Sequence, residues 1–82
     1  MALDRNKVTK EIREVAADFL GIEPDELDMK KKLRLEYGIS SIEASEMIME
    51  MEDTYGLKIP IEEALKILSA QDAVEYVLKN AK

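Results

Sequence analysis

The stretch from Glu36 to Glu43 reads EYGISSIE and decides how the middle of this 82-residue chain folds. Gly38 predicts a turn, because glycine accepts backbone angles that other residues avoid. Ser40, with Glu43 three residues later, matches a capping box, in which a hydroxyl and a carboxylate each satisfy a free backbone N–H at a helix start. We therefore expect a helix to begin at Ser40 or Ser41.

The spacing of apolar residues on either side predicts four helices, separated by glycine, proline and serine signals. The first would start near Asp4 and end at Gly21. The second would end at Gly56, a short third would start at Pro60, and a fourth would open at Ser69. The predicted fold is all-α: a four-helix bundle of three longer helices and a short third one, with a long loop between the first two.

The long loop runs from Ile22 to Tyr37 and should be held down by its own side chains. Three leucines are its expected anchors into the core: Leu27, Leu33 and Leu35. The lysines at 30–32 are most simply a solvated segment of the loop, and a nucleic-acid interpretation is not favoured. On the short third helix, we expect these apolar positions: Ala64, Leu65, Ile67 and Leu68.

The second helix is expected to present two different faces. The inward face repeats at helical spacing: Ala44, Ile48, Met51 and Tyr55, with Met47 beside them. The other stripe should be mostly exposed: Ile42, Glu46, Met49 and Asp53.

The composition argues against an enzyme. The chain contains no cysteine and no histidine, which removes a thiol nucleophile, disulfides, the commonest general base near neutral pH and the commonest metal ligand. We therefore predict no catalytic residue and no metal site. No signal peptide or membrane span is apparent, so we expect one cytoplasmic domain covering residues 1–82.

The negative charge is concentrated in the middle of the chain. The formal net charge is −6, and residues 36–63 contain eight acids and one base. Such a field favours partners with basic surfaces and disfavours nucleic acids. The alternative is an acidic face that is merely solvated.

Over almost its whole length the chain resembles the acyl carrier proteins of fatty-acid and polyketide synthesis. Residues 38–43, GISSIE, lie where that family has a glycine, an Asp-Ser-Leu attachment motif and the start of an acidic helix. Further segments fall in register: residues 46–48, 52–55, 58–60, 62–64 and 70–77. The combination favours a specialised, stand-alone bacterial type and a monomer.

The resemblance implies that Ser41 bears 4′-phosphopantetheine, transferred from coenzyme A by a separate phosphopantetheinyl transferase. Acyl groups would travel on this arm as thioesters. The position suits the group, because free N–H groups and the helix dipole favour a phosphodiester at a helix N-terminus. The missing cysteine fits as well, since the working thiol would belong to the arm.

The resemblance also implies roles for two sets of residues on and near the second helix. One set would dock acyl-transferring and condensing enzymes that have basic surfaces: Ile42, Glu43, Glu46, Met49, Glu50 and Glu52. The other set would border an acyl-chain cavity: Met47, Met51 and Ile67. For the first set the alternatives are solvated charge and, for Ile42, packing under the preceding loop. For the second set the alternative is plain core packing.

Three residues depart from the family pattern. Ser40 replaces the usual acid, Ile42 replaces the leucine after the attachment serine, and Ile61 replaces an acid after Pro60. Because two serines are adjacent, Ser40 is the second candidate for attachment. An aminoacyl or D-alanyl carrier and an unmodified acidic interaction protein remain the alternative functions.

Overall fold

Four α-helices make up most of residues 3–81, the part of the chain that the computed structural model describes. Their bounds are α1 Arg5–Leu20, α2 Ser41–Tyr55, α3 Ile61–Ala64 and α4 Ala70–Asn80. A 3₁₀ turn at Pro24–Glu26 lies in the connection after α1. Within the described range there is no strand, only an isolated bridge between Lys32 and Ser69. The predicted all-α fold, with three longer helices and a short third one, is confirmed.

The residues that were predicted to mark the ends of α1 and the start of α4 form the expected caps. The Asp4 carboxylate accepts a hydrogen bond from the backbone N–H of Asn6. Gly21 ends α1 in the left-handed conformation, at φ 70°. Ser69 and Asp72 form a reciprocal capping box before α4. Local sequence therefore sets these helix ends.

The core lies mainly between α1 and α4 and is closed by α2. Its most deeply buried large side chains are Val8, Val74 and Val77. The helix α2 contributes Met47 and Met51, which are also buried. The remaining members of the predicted inward face are half-buried against this core: Ala44, Ile48 and Tyr55.

The connection between α1 and α2 is fastened to the bundle by hydrogen bonds. The Arg13 guanidinium donates to the carbonyls of Pro24, at 3.0 Å, and Leu27, at 2.9 Å. The backbone N–H of Gln71, on α4, donates to the carbonyl of Met29 at 2.8 Å. This long segment is therefore an ordered part of the fold, and it fixes where α2 starts.

One of the three expected anchors of the connection was predicted wrongly. Leu27 and Leu33 are buried, as expected, but Leu35 is exposed. The N–H of Glu36 donates to the carbonyl of Lys32, which closes a tight turn over these residues. On such a turn, positions two apart face nearly opposite sides, so Leu33 and Leu35 cannot both enter the core.

The third helix is shorter than its apolar positions indicated. It ends at Ala64, and the following N–H groups of Lys66 and Ile67 bond to carbonyls three residues back. Such tight turns end a helix rather than extend it. Leu65 and Leu68 are therefore exposed, while Ala64 and Ile67 are half-buried against the core.

Candidate functional site

A glycine turn places the start of α2. Gly38 has φ 78°, in the left-handed region, which agrees with the turn predicted at this glycine. The next residue, Ile39, is buried, and its N–H donates to the carbonyl of Leu33 at 3.1 Å. Ile39 therefore holds the turn against the core, and the two serines follow it directly in the chain.

The two serines have different positions at the helix start. The Ser40 hydroxyl accepts a hydrogen bond from the N–H of Glu43 at 3.1 Å, and the Glu43 carboxylate accepts from the N–H of Ser40 at 3.0 Å. This confirms the capping box and makes Ser40 the cap. Ser41 is the first residue of α2, and it is exposed.

Ser41 borders a largely apolar cavity between α2, the connection and the α3 region. The cavity volume is about 230 Å³. The three residues predicted to border an acyl-chain cavity all line it together with Ser41: Met47, Met51 and Ile67. The two methionines are also buried core residues, so core packing and cavity lining hold together for the same side chains.

The outer stripe of α2 is exposed, as its spacing predicted. Ile42 is 71% exposed and Met49 is 55% exposed. Glu46, Glu50 and Asp53 are exposed beside them. The alternative that Ile42 packs under the preceding loop is therefore wrong.

Two glutamates of this region have structural partners. Glu43 is half-buried and completes the capping box. The Glu52 carboxylate accepts a hydrogen bond from the N–H of Ile59 at 2.8 Å, which fastens the segment after α2. We expected Glu52 to face partner enzymes, but the structure commits its carboxylate to this loop.

The clearest pKa shifts lie on the α1 side of the bundle, away from the cavity. Partial burial and a hydrogen bond donated to the Glu11 carboxylate raise the pKa of Tyr55 well above its usual value. Hydrogen bonds from Arg5 and Gln71 lower the pKa of Glu75. Neither Tyr55 nor Glu75 lines the cavity, so these groups do not act on Ser41.

Sequence reasoning missed several residues that line the cavity near Ser41. They include Leu35, Leu65, Leu68, Lys32 and Arg34. Besides Met47, Met51 and Ile67, the sequence had singled out only Ile61 among these neighbours, as a departure from the family pattern. One signal could have found Leu65: it lies four residues after Ile61, and such pairs share a side of a helical turn.

Comparison with known proteins shows which family the chain is similar to. The family model described as "Phosphopantetheine attachment site" matches residues 10–77. An acyl carrier protein of Rubrobacter xylanophilus is 36% identical over 78 residues, which are 95% of this chain and 96% of that protein. One of Campylobacter hominis is 32% identical over 71 residues, covering 87% of this chain and 90% of that protein.

Solved structures show the same fold. An acyl carrier protein from Enterococcus faecalis superposes with a TM-score of 0.83 at 26% identity, covering 96% of this chain and all of that one (100%). The doublet acyl carrier protein from prodigiosin biosynthesis gives a TM-score of 0.77 at 20% identity, over 93% of this chain and 37% of that one. The second likeness shows the fold alone. With the sequence matches, these findings show that the chain belongs to the acyl carrier protein family.

Proposed function

We propose that the chain holds its acyl groups as thioesters on a 4′-phosphopantetheine arm attached to Ser41, for enzymes of fatty-acid, polyketide or related synthesis. One observation carries the assignment of the serine. Ser41 is exposed at the first position of α2 and borders the apolar cavity. A group attached there starts at the helix N-terminus and beside a space that accepts apolar atoms.

The residues at this position fit the arm. Free backbone N–H groups and the dipole of α2 favour the negative phosphodiester. When bound, the arm supplies the thiol that a chain without cysteine lacks. Ser40 fits less well, because its hydroxyl oxygen already accepts the capping hydrogen bond from Glu43.

We assign the docking of partner enzymes to the start and outer stripe of α2. Its members are Ile42, Glu43, Glu46, Met49 and Glu50. The exposed carboxylates of Glu46 and Glu50 lie beside two exposed apolar side chains, and the half-buried Glu43 stands at the helix start. This arrangement suits a partner surface that is basic with an apolar centre. The transferase, acyl-transferring enzymes and condensing enzymes would all use this stripe.

The remaining features of the proposal follow from the carrier role. The chain would act as a monomeric single domain and would hold substrates without transforming them. No helix in the range 3–81 combines the length and apolar character needed to cross a bilayer. A cytoplasmic location stays a prediction. The aminoacyl, D-alanyl and unmodified alternatives are not favoured, because the matched relatives are acyl carrier proteins.

A loading experiment tests the attachment. The chain is incubated with coenzyme A and a broad phosphopantetheinyl transferase, and its intact mass is measured. We expect one addition in the wild type and in Ser40→Ala, and none in Ser41→Ala. An addition that survives in Ser41→Ala would refute the assignment. No addition with any transferase would refute the carrier mechanism itself.

A charge substitution tests the docking stripe. Glu46→Gln removes one exposed carboxylate of α2, and Glu14→Gln removes an exposed carboxylate of α1 as a matched control. We expect Glu46→Gln to slow loading severalfold at low salt, with a smaller effect at high salt, because steering is screened. Equal effects of the two substitutions would contradict docking through α2.

A further inference from the structure

Two cationic side chains, Lys32 and Arg34, stand beside Ser41, because all three residues line the same cavity. Both cationic residues are exposed. Neither is at salt-bridge distance from a carboxylate of residues 3–81, whose ion pairs use other cations. No acidic residue of this range lines the cavity either. The chain therefore offers two positive charges here without an internal partner for them.

The backbone holds these two residues in place near the start of α2. The N–H of Leu33 donates to a carbonyl just before α4 at 2.9 Å, and the carbonyl of Leu33 accepts from the N–H of Ile39 at 3.1 Å. These two peptide groups link Leu33 to Lys32 on one side and to Arg34 on the other. Arg34 is thus fixed beside Ile39, two residues before Ser41.

The other two cations of this loop are placed differently. Lys30 is exposed and does not line the cavity. The ammonium of Lys31 lies over the ring of Tyr37, 5.6 Å from its centroid, where the face of the ring attracts it. The solvated segment predicted for the lysines at 30–32 therefore leaves the position of Lys32 unexplained.

The group that would be attached at Ser41 is an anion that needs positive charge at this place. The Glu43 carboxylate lies at the start of α2, 3.0 Å from the backbone nitrogen of Ser40. It repels a second negative group beside it. Arginine binds phosphate oxygens through its planar fork of N–H donors, and lysine binds them as a point charge. Arg34 and Lys32 supply these two kinds of contact.

A tethered anion suits these cations better than a partner enzyme does. The acids of α2 favour basic partner surfaces, which Lys32 and Arg34 repel. A phosphodiester bonded to Ser41 remains near both side chains at an effective concentration in the mM range. It also keeps its negative charge throughout the pH range in which the protein is folded.

Resting on the proposed attachment at Ser41, we propose that Lys32 and Arg34 bind the phosphodiester of the arm. They are positioning residues: they form ion pairs with the phosphate oxygens, and no covalent bond is made or broken. The first atoms of the arm are thereby held on the side of Ser41 where the loop lies. Because both side chains are exposed, salt should weaken this hold.

Phosphorus NMR of the loaded protein tests the proposal. The wild type, the double variant Lys32→Gln, Arg34→Gln and the double variant Lys30→Gln, Lys58→Gln are each loaded from coenzyme A and checked by intact mass. The last protein is the matched control, because it also loses two exposed cations and neither lines the cavity. The readouts are the transverse relaxation rate of the phosphorus and the thermal midpoint of the loaded form relative to the bare form.

We expect the phosphorus of Lys32→Gln, Arg34→Gln to relax more slowly than that of the wild type, because the group moves more freely. In that variant the midpoint gained on loading should be smaller by on the order of 3 °C, the scale of exposed ion pairs in a small domain. The control should match the wild type in both readouts. Raising NaCl to about 0.5 M should slow the relaxation in the wild type toward that of the variant. In the wild type, the Arg34 Nε–H signal should shift on loading.

Three results would overturn the proposal. The first is an unchanged relaxation rate in Lys32→Gln, Arg34→Gln, and the second is an equal change in the control. The third is an effect of the double variant that appears only when the arm bears a glutaryl group, since the cations would then bind the carboxylate of the cargo. The salt series and the Arg34 signal need only the wild type, so they decide the matter even if the double variant loads poorly. A wild type that cannot be loaded would overturn the proposed function as well, whereas normal loading without these effects would overturn the role of the two cations alone.

Discussion

The capping box at the start of α2 gives the sharpest prediction about stability. Ser40→Ala removes the oxygen that accepts the N–H of Glu43 at 3.1 Å. The reverse bond, from the Ser40 N–H to the Glu43 carboxylate, uses backbone and survives the substitution. We therefore expect the free energy of unfolding to fall by about 1 kcal/mol, the value of one lost cap. For a domain of this size, this corresponds to a drop of about 4–8 °C in the thermal midpoint.

Two further substitutions at this position separate the cap from its charge. Asparagine and aspartate both keep an oxygen acceptor, so Ser40→Asn should unfold near the wild-type midpoint. Ser40→Asp adds a negative charge at a helix N-terminus, which contributes a further ~0.3–1 kcal/mol. Urea denaturation of the four proteins measures this order. A stability of Ser40→Ala equal to the wild type would refute the role given to the hydroxyl.

The same series shows whether a transferase reads charge beside Ser41. The family resemblance places an acid at position 40, and this chain has an uncharged serine there. We expect Ser40→Asp to be loaded severalfold faster than Ser40→Asn, although both caps hold. Equal initial rates for these two variants would show that the missing charge is irrelevant to modification.

Three smaller predictions follow from local geometry and pKa. Gly38→Ala should lower the free energy of unfolding, measured in urea, by about 1–2 kcal/mol, because φ is +78° and no atom crowds the new methyl group. The same substitution should slow the loading of Ser41. The control Gly21→Ala should lower stability without slowing loading. The hydrogen bond from Arg5 lowers the pKa of Glu75. The ionised Glu75 therefore stabilises the fold at pH values above its pKa in the unfolded chain, about 4.3. This stabilisation is lost as the pH falls through the lower pKa that Glu75 has in the folded protein. Glu75→Gln should therefore flatten the fall of the thermal midpoint between about pH 5 and 3. Burial and the hydrogen bond to Glu11 raise the pKa of Tyr55. The neutral Tyr55 therefore stabilises the fold below about pH 10, the pKa of a tyrosine in the unfolded chain, and this stabilisation is lost at higher pH. Tyr55→Phe should accordingly reduce the fall of the thermal midpoint at alkaline pH.

The parts of the site that the sequence predicted are those set by local rules. The turn at Gly38, the capping box of Ser40 with Glu43 and the start of α2 each depend on a few neighbouring residues. The exposed stripe with Ile42 and Met49 follows from helical spacing. These features do not depend on how the rest of the chain packs.

The parts that were wrong depend on contacts between distant residues. Leu35 faces outward because the turn it occupies is closed by Glu36 and pinned at Leu33, whose N–H donates to the carbonyl of Leu68 at 2.9 Å. Glu52 turns to Ile59 across the end of α2. Neither partner can be read from helical spacing alone. Leu33 meets Leu68 where two loops come together, and Glu52 meets Ile59 because the chain folds back after α2.

The exposed apolar side chains that line the cavity were missed for a related reason. Sequence patterns assign large apolar residues to the core, and most positions in this chain obey that rule. Leu65 and Leu68 depart from it because the backbone tightens after Ala64 and ends α3 early. Only the folded arrangement shows that these side chains gather near Ser41 and remain exposed.

The most direct measurement is the site of the arm on the wild-type protein. The chain is loaded from coenzyme A, digested, and the peptide that spans the capping box is fragmented in a mass spectrometer. We predict that the added mass lies on Ser41, with Ser40 unmodified. An arm on Ser40, or a loaded protein whose modified peptide excludes both serines, would contradict the assignment from which the cavity and the docking stripe take their roles.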